Sequence, residues 1–480
     1  MRLPVLHPSI VILLVSSFPV AIAVAQTPSY TIHDLGTLGG GLSRATAINR
    51  YGQVVGNSTT ASGQSHGFRT AANSPINVLT DDLGTLGGLA TFATDINASG
   101  RAVGRSMLGT GVFRAFRTAP NAPIDPATDD LGTFGGLSSQ AGGINDAGQV
   151  TGGADTTNGL LGRPHAFRTA PNSPIDASTV DVGLLAPLSP FDGTLGTIVP
   201  TSGMRINSSG NIVGEIRYTD VGPGFIAGFV YKDGVFNLSS VGAGFGINAD
   251  INDQNQAVLS QQGLIGDLWV NGVETQICFC FTLGINESSQ IVGGSSSFGR
   301  DCCTSALLLD NGTLYNLNDL IPANSGWTLQ AATDINDRGQ IAGYGVINGQ
   351  THAFRLDPPM SPADLVAAEI SLLASFSLPP GTMNSANAML SAALASFQRG
   401  NNEAARQQLL AFENIVRAAG TKLTADQANQ LLAAAEQAIQ LLPSARAAIE
   451  KARLALSGHK TGHSPILNTD VHIGNLPVST

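Results

Sequence analysis

A nine-residue phrase that recurs along this chain constrains its fold more than any other feature. The first copy, INRYGQVVG, occupies residues 48–56. Further copies start at residues 96, 144, 206, 285 and 335, and a degenerate copy, INDQNQAVL, starts at residue 251. The first three copies begin 48 residues apart. A fixed period in this range indicates a repeat architecture in which each repeat is one supersecondary unit.

Each repeat reads as four short antiparallel strands. In the first repeat, residues 45–49 alternate towards a turn in which Asn49 starts the bend and Gly52 can take a positive φ. Residues 53–57 and 66–69 predict the second and third strands, and the fourth is expected near residues 81–84. In later repeats an Asp-Gly or Asn-Gly pair joins the last two strands, at residues 233–234, 271–272 and 311–312. Such pairs between strand-forming residues are the strongest short-range hairpin signal.

Seven such repeats predict a mainly β fold, a seven-bladed β-propeller, because propellers repeat four-stranded sheets around an axis. The last repeat stops at its third strand, residues 352–355, and residues 30–36 carry the missing fourth one. The motif DLG in that N-terminal segment recurs at residues 82 and 130. We therefore expect the N-terminal strand to close the ring, since an open edge invites aggregation. An open solenoid is the alternative.

The repeats resemble a named family. DLGTLGG occurs at residues 34–40 and 82–88, and HAFR at 165–168 and 352–355. Together with the recurring phrase, these motifs are similar to the HAF family of extracellular repeat proteins over about residues 30–356. The resemblance is strong in repeats one to three and seven, and weaker in repeats four to six, where DLGTLGG is lost. It implies secretion and no defined activity.

The N-terminus predicts a signal peptide covering residues 1–25. Arg2 gives a positive start, an apolar stretch runs from residue 10 to residue 24, and a small-x-small site precedes cleavage after Ala25. Pro8 and Pro19 interrupt the apolar run. A retained membrane anchor, which needs about 20 apolar residues, is the less favoured alternative. The sequence thus predicts a secreted protein with no membrane span.

The charge distribution argues against a nucleic-acid partner. The net charge of −10 lies almost wholly on residues 26–360, because residues 361–480 carry equal numbers of acidic and basic side chains. Lys232 is the only lysine in residues 26–360. A surface of this sign repels phosphates and anionic membranes.

Four cysteines are candidates for disulfide bonds: Cys278, Cys280, Cys302 and Cys303. An even number in an exported chain favours disulfides. A bridge between the adjacent residues 302 and 303 would be strained, so crosslinks from 278/280 to 302/303 are expected. A four-thiolate zinc site is the alternative, although C-x-C with C-C is not the spacing of a zinc ribbon or finger.

A helical module follows at residues 361–457. Ser361 is a candidate N-cap with Pro362 at the first helical position, and Thr424 with Gln427 opens a later helix. Apolar residues at spacings of three and four predict an antiparallel bundle. The helices are expected to be interrupted at residues 379–381 and to end near Gly400 and Gly420. Pro443 starts or kinks a last segment, and the polar tail, residues 458–480, is predicted to be disordered.

The module is similar to the FIMAH domain of secreted bacterial proteins. The matching segments are residues 392–394, 400–405, 408–412 and 423–428. The sequence departs from the family where Glu413 and Asn414 follow Phe412. The resemblance implies an accessory or attachment role, and a plain stabilising bundle is the alternative. The predicted domains are the signal peptide (residues 1–25), the repeat propeller (26–357), the helical module (361–457) and the disordered tail (458–480).

The metalloprotease motif H-E-x-x-H and the phosphate-loop motif G-x-x-x-x-G-K-[ST] do not occur in the sequence. Three histidines, His66, His165 and His352, hold the same position in their repeats, and we interpret them as framework residues rather than metal ligands. Two segments partly imitate a calcium loop, residues 95–100 and 334–339, but they lack a downstream bidentate glutamate and are interpreted as turns. No catalytic, cofactor-binding or metal residue is predicted.

These features predict a secreted, non-catalytic binding protein that acts as a monomer and whose partner is a glycan, a cell-wall component or another protein. The alternative is a propeller hydrolase or lyase with an acidic site at the channel mouth. Asp95, Asp250 and Asp334 each precede the Ile-Asn pair of the phrase and are the candidates for such a site. A structural matrix component is a third possibility that the sequence does not separate from the first.

Overall fold

The computed structural model describes residues 30–157, 165–176, 178–182, 197–199, 205–218, 225–242, 248–261, 265–278, 281–295, 305–376 and 378–442. The chain is mainly β, with several small sheets and four helices. It divides into two compact units, Met1–Pro358 and Pro359–Thr480. We refer to them as the β unit and the helical unit.

The first half of the β unit contains sixteen strands in the described residues. They are β1 (Thr31–Gly36), β2 (Gly39–Ile48), β3 (Val54–Thr60), β4 (Ser65–Arg69), β5 (Gly87–Ile96), β6 (Ala102–Leu108), β7 (Phe113–Arg117), β8 (Gly135–Ile144), β9 (Val150–Thr156), β10 (His165–Arg168), β11 (Val180–Asp181), β12 (Thr197–Val199), β13 (Arg205–Ile206), β14 (Ile212–Tyr218), β15 (Phe225–Lys232) and β16 (Val235–Gly242).

The second half continues the pattern with shorter loops. Its strands are β17 (Asn248–Ile251), β18 (Gln256–Gln261), β19 (Ile265–Val270), β20 (Val273–Cys278), β21 (Phe281–Ile285), β22 (Ile291–Gly294), β23 (Ala306–Asp310), β24 (Thr313–Asn316), β25 (Trp327–Ile335), β26 (Ile341–Ile347) and β27 (Gln350–Asp357). A 3-10 helix, Leu317–Asp319, follows β24.

Strands that follow one another in sequence pair antiparallel and form small groups. The groups are β2-β3-β4, β5-β6-β7, β8-β9-β10-β11, β12/β13-β14-β15-β16, β17-β18-β19-β20, β21-β22-β23-β24 and β25-β26-β27. The first and last groups join through one parallel bridge, Leu42 to Thr351. Strand β1 pairs antiparallel with β27, with Thr31 opposite Asp357. The N-terminal strand therefore adds a fourth strand to the last group.

The first two groups lack the fourth strand that the repeat pattern predicts near residues 81–84 and its equivalent. Only an isolated bridge remains in each, Phe68 to Asp82 and Phe116 to Asp130. The reason is the long turn-rich connection after the third strand, in which Asn73 takes a φ of 55°. The Asp82 carboxylate also accepts the backbone N–H of Gly84, which bends the chain out of the ladder.

A β-bulge ends the first strand of several groups. In β5, Ala93 lies opposite Gly104 and Asp95 opposite Val103, so Thr94 has no partner in the ladder. The same slip separates Ala332 from Asp334 in β25. Because a bulge bends the strand and re-aims its side chains, the residue just before the Ile-Asn pair leaves the regular alternation of the sheet.

The cores of the β unit lie between successive groups. The phenylalanine of the third strand is buried in five groups, at Phe68, Phe116, Phe167, Phe229 and Phe354. Phe116 shares one cluster with Val55 of the first group and Ala93 of its own group. Each sheet thus buries one face against the next, which is why a single repeat could not be stable alone.

The helical unit contains α1 (Pro362–Ala374), α2 (Pro380–Gln398), α3 (Asn402–Ala418) and α4 (Ala425–Gln440). The predicted capping boxes are present at Ser361 and Thr424. Helix α1 packs on α2 and α4, and α3 also packs on α2 and α4. None of the helices in the described residues is long and apolar enough to cross a membrane.

One helix boundary differs from the sequence-based expectation. The segment 379–381 was expected only as a break, yet Pro380 and Gly381 form the first turn of α2. A proline at the first helical position costs little, because its missing N–H has no partner in the first turn anyway. The predicted signal peptide, the last helical segment from Pro443 and the tail lie outside the described residues.

Candidate functional site

The recurring phrase brings its asparagines together in one circuit of hydrogen bonds. Each asparagine donates from Nδ2 to the backbone carbonyl oxygen of the equivalent asparagine in the next group, over 2.9–3.1 Å. The last one, Asn336, donates to Asn49, the first. We call this set the asparagine ring: Asn49, Asn97, Asn145, Asn207, Asn252, Asn286 and Asn336.

Each ring asparagine has a second task within its own turn. The Oδ1 atom of Asn49 accepts the backbone N–H groups of Tyr51 and Gln53, both at 3.0 Å. The second Nδ2 hydrogen goes to the Gln53 side chain at 2.9 Å. An amide has both an acceptor and two donors, so asparagine can close the turn and hold the next group at once. The glutamine that follows the glycine in the phrase thereby gains a role as the partner of the asparagine.

A central cavity of about 250 Å³ lies inside the asparagine ring. Every group contributes its Ile-Asn pair and the residue after it to the lining, and four groups also contribute the residue before the pair. Seven carboxyl groups and two guanidinium groups border the cavity, and they are Asp95, Asp146, Asp250, Asp253, Glu287, Asp334 and Asp337 with Arg50 and Arg205. The site is therefore polar and strongly acidic.

Three of these carboxyl groups, the inner carboxyls, sit at the position before Ile-Asn: Asp95, Asp250 and Asp334. Asp334 accepts the N–H of Ile335 in its own strand and the N–H of Ile48 in the first group, both at 2.8 Å. Asp95 similarly accepts from Ile96 and Ile144. The sequence-based expectation that these aspartates could face a common mouth agrees with their shared place in the cavity lining, although they come from groups that are not neighbours.

The inner carboxyls are half-buried at the cavity wall and keep their protons more tightly than usual. Burial, and then the charge of Asp250, raises the pKa of Asp334 to about 7. Burial raises the pKa of Asp250 to about 6, and the pKa of Asp95 is also raised by burial. The Arg205 guanidinium opposes these shifts by favouring the charged forms.

Four carboxyls directly follow the ring asparagines, and we call them the outer carboxyls: Asp146, Asp253, Glu287 and Asp337. Whereas each ring asparagine side chain donates to the next group, an outer carboxyl accepts a backbone N–H from the group before it. Asp253 accepts the N–H of Ser208 at 2.7 Å, Glu287 accepts that of Asp253 at 2.6 Å, and Asp337 accepts that of Glu287 at 3.0 Å. Burial and the charges of its two acidic neighbours raise the pKa of Glu287. On the other side of the cavity, Asp146 forms an ion pair of 3.1 Å with Arg50.

Arg205 lies between the central cavity and a second one. The second cavity, of about 170 Å³, is lined by Arg205 together with Thr46, Thr94, Thr333, Asn248, Ala249 and Leu283. Arg205 donates from Nη1 to the carbonyl oxygen of Gly142 at 3.0 Å. Its side chain therefore borders the acidic cavity on one side and a threonine-lined cavity on the other.

The three equivalent histidines do not converge. Each contacts the aspartate of its own DLG motif or the equivalent residue: His66 with Asp82 at 2.9 Å, His165 with Asp181 at 2.8 Å, and His352 with Asp34 at 3.0 Å. In the second group an arginine, Arg114, takes the place of the histidine and approaches Asp130 at 3.9 Å. In three groups these contacts tie the third strand to the segment after it, and in the last group they tie β27 to β1, as expected of framework residues.

The calcium-like segments have their oxygens occupied by backbone donors. In the first, the Oδ1 atom of Asn97 accepts the N–H groups of Ser99 and Arg101. Within the described residues, no group of three or more His, Cys, Asp or Glu side chains is arranged to hold a metal ion. Of the four cysteines, Cys278 ends β20 and is buried, whereas Cys280, Cys302 and Cys303 lie outside the described residues, so their pairing stays a prediction.

Sequence reasoning identified the inner aspartates but not the asparagine ring, the outer carboxyls or Arg205 as parts of one site. A signal for the outer carboxyls was present, since four of the seven phrases have Asp or Glu directly after Ile-Asn. Arg205 holds the position of the inner aspartates in its own repeat. What the phrase could not indicate is that equivalent positions from every repeat border one cavity.

No known family matches the sequence, and no curated protein matches it either. Solved structures that a structural comparison finds similar to this chain include a mutant of the Aleuria aurantia lectin in complex with Fucα1-6GlcNAc. That likeness has 11% identity and a TM-score of 0.32, and it covers 68% of this chain and 98% of the lectin.

Two further solved structures have similar values. A Trypanosoma rangeli sialidase in complex with sialic acid has 11% identity and a TM-score of 0.33, with 74% of this chain and 62% of that chain covered. A mutant of AofleA from Arthrobotrys oligospora has 11% identity and a TM-score of 0.30, with 68% and 90% covered. Similarities at this level carry no argument about the ligand or the activity of this chain.

Proposed function

We propose that this chain is a secreted, non-catalytic binding protein built on a closed seven-bladed β-propeller, with HAF-type repeats as its blades and a FIMAH-like helical unit after it. The asparagine ring supports the closed architecture, because its hydrogen bonds return from Asn336 to Asn49. The pairing of β1 with β27 supports closure by the N-terminal strand. Cleavage of the leader after Ala25 is part of this proposal, and N-terminal sequencing of the exported protein should begin at Gln26.

The proposed ligand site is the central cavity, and the observation that carries it is the cavity's polar lining, drawn from every strand group. Convergent polar groups in a concave site are typical of ligand sites. The backbone N–H groups at the rim already donate to the outer carboxylates. The carboxylate oxygens can accept further hydrogen bonds from a ligand. The lining therefore complements a ligand rich in hydrogen-bond donors, such as the hydroxyl or amino groups of a sugar.

We propose a neutral or amino-bearing glycan, or a cell-wall fragment of that composition. Acidic glycans are disfavoured, because seven carboxyl groups against two guanidinium groups give the cavity a negative potential. The volume of about 250 Å³ is large enough for one sugar residue at a chain end, so terminal rather than internal sugars are expected to bind.

The test is an array of neutral, amino-bearing and sialylated glycans with peptidoglycan fragments, followed by calorimetry on the best binder. The variant is the double substitution Asp253→Asn and Asp337→Asn at the cavity rim. We expect its affinity to fall by at least about tenfold, which is the loss of one good polar contact, about 1.4 kcal/mol. Asp233→Asn is the matched control, since Asp233 is exposed in the β15–β16 hairpin with a φ of 51° that asparagine also tolerates.

Two outcomes would count against this proposal. Binding that is unchanged in the double variant would place the ligand site outside the central cavity. Failure to bind any glycan, peptidoglycan fragment or secreted protein would contradict the binding function itself.

A second candidate function is a glycoside hydrolase or lyase with its acidic site in the same cavity. The observation that favours it is the raised pKa of two inner carboxyls, about 7 for Asp334 and about 6 for Asp250. A carboxyl that keeps its proton near neutral pH can act as a general acid, and a second carboxylate can act as base or nucleophile. Release of reducing sugar from the array ligands, abolished by Asp334→Asn, would establish this function, and no release by the wild-type protein would remove it.

A further inference from the structure

The helical unit buries two carboxyl side chains among its apolar residues. Glu369 of α1 is 1% exposed and Glu413 of α3 is 9% exposed. Glu369 lies four residues after Leu365 and four before Leu373, on the buried stripe of α1. Glu413 follows Phe412 on the buried stripe of α3. Both acids therefore occupy positions that a bundle normally gives to apolar side chains.

Glu369 lacks the partner that a buried charge requires. Neither of its carboxyl oxygens has a hydrogen-bond partner. Glu413 pairs with Arg417 at 3.3 Å, and the same Arg417 nitrogen approaches Glu436 at 3.3 Å. Because an unpaired buried carboxylate is costly, such a group keeps its proton instead.

Among the described residues, no cation is paired with Glu369. Helix α2 has no ionisable side chain, and those of α4 are both acidic, Asp426 and Glu436. In α3, Arg406 is directed to the carbonyl oxygens of Ile439 and Leu442. The remaining ionisable groups of the described helical unit are Asp364, which closes the capping box of α1, Glu403 of α3, and Arg399 and Lys422 between helices.

We propose that the helical unit is a pH-sensitive element: a proton on the Glu369 carboxyl holds α1 in the bundle, and release of that proton to solvent at higher pH loosens α1. Burial, and then the charge of Glu413, raises the pKa of Glu369 from 4.5 to about 8. The folded form thus binds more protons than the unfolded form between these values. The contribution of the Glu369 carboxyl to stability is therefore fully present below pH 4.5, is lost as the pH rises to about 8, and changes no further above that value.

The experiment is amide hydrogen exchange on the full chain between pH 5 and pH 9, read for each helix and corrected for the intrinsic pH dependence of exchange. We expect the opening equilibrium of α1 to rise across this range, by on the order of a thousandfold at most, since each pH unit within the window contributes up to tenfold. The Glu369→Gln protein, measured at the same pH values, serves as the reference, because the β unit has carboxyls with raised pKa values of its own.

Variants distinguish the effect of protonating Glu369 from a general effect of pH on the helical unit. Glu369→Gln keeps the shape and removes the charge, so the protection of α1 should become independent of pH. Glu369→Leu should also make the protection of α1 independent of pH, at a higher level of protection. It provides the test if the glutamine variant does not fold. Glu403→Gln, at an exposed glutamate of α3, should keep the wild-type profile. A wild-type α1 with flat protection, or foldable Glu369 variants that retain the slope, would overturn the proposal.

Discussion

At the scale of single residues, the asparagines of the repeat make a set of hydrogen bonds that neither aspartate nor glutamine could make in their place. Asn97 accepts two backbone N–H groups of its own turn and donates to the carbonyl oxygen of Asn145 in the next group. Aspartate would keep the acceptor and lose the donor, and the longer glutamine side chain would not reach its own turn in the same geometry. The side chain is buried, so water cannot replace a lost partner.

Replacing Asn97 by alanine should therefore destabilise the β unit markedly. The change leaves the N–H groups of Ser99 and Arg101 without their partner, at about 1–3 kcal/mol for each buried group left unpaired. It also removes one of the two donors to the Asn145 carbonyl oxygen, which keeps the N–H of Gly148. Denaturant unfolding measures the loss. Asn77→Ala is the control, because Asn77 closes a similar turn at the exposed surface, and its cost should stay below about 1 kcal/mol. Equal costs for the two variants would show that the ring hydrogen bond contributes nothing.

The raised pKa values of the inner carboxyls predict how the stability of the β unit depends on pH. Because the pKa of Asp334 is raised from 3.8 to about 7, the folded protein holds this proton where the unfolded chain has lost it. The stability of the β unit should accordingly fall as the pH rises from about 4 to about 7.

Arg205→Met tests this pH dependence. The guanidinium lowers the pKa of all three inner carboxyls, so its removal should move the fall in stability to higher pH and make it larger. Unfolding midpoints recorded at intervals between pH 4 and pH 8 give the profile of each protein. An identical profile in the variant would contradict the assigned role of Arg205.

At the scale of elements, the turn between the first and second strands of a group is shaped by a neighbour as well as by its own backbone. Gly100 has a φ of 76°, which already favours glycine. A Cβ at this position would also collide with the side chain of Asn121 in the loop after the third strand. The same relation holds between Gly52 and Asn73, so the loop after the third strand restricts the turn in both groups.

Two glycine substitutions in the same group separate these two effects. Gly111 has a φ of 85°, and a Cβ there would meet nothing within 4 Å. Gly111→Ala should cost about 1–2 kcal/mol from backbone strain alone. Gly100→Ala should cost about 1–3 kcal/mol more, because the Asn121 side chain must move. Unfolding free energies of the two variants provide the comparison, and a Gly100 variant no worse than the Gly111 variant would rule out the collision.

At the scale of the whole β unit, the two ends of the repeat array are joined by several contacts. Besides the parallel bridge from Leu42 to Thr351, they include the β1–β27 ladder, the ring bond from Asn336 to Asn49, and the contact of Asp334 with Ile48. Strand β1 covers an edge of β27 that would otherwise be open, and an open edge promotes association with other chains. The N-terminal strand therefore matters more for solubility than its six residues would suggest.

A chain that starts at residue 37 should expose the free edge of β27. We expect it to unfold at lower denaturant concentration and to form dimers or larger species, as measured by size-exclusion chromatography with light scattering. The matched control starts at residue 30 and keeps β1 complete. If the shorter chain remains a monomer with an unchanged unfolding midpoint, β1 has no part in closing the array.

The sequence alone determined the features that depend on neighbouring residues: the repeat, the hairpin turns at Asp233-Gly234 and Asn271-Gly272, and the capping boxes at Ser361 and Thr424. Turn and cap preferences arise within a few residues, so they can be read locally. Only the tertiary structure decided that the Asn97 side chain donates to the Asn145 carbonyl oxygen, and that Asp95 and Asp334 border one cavity, because these residues are 48 or more positions apart in the sequence. The burial of Glu369 was likewise decided by packing, since its helix would form equally well with that side chain in water.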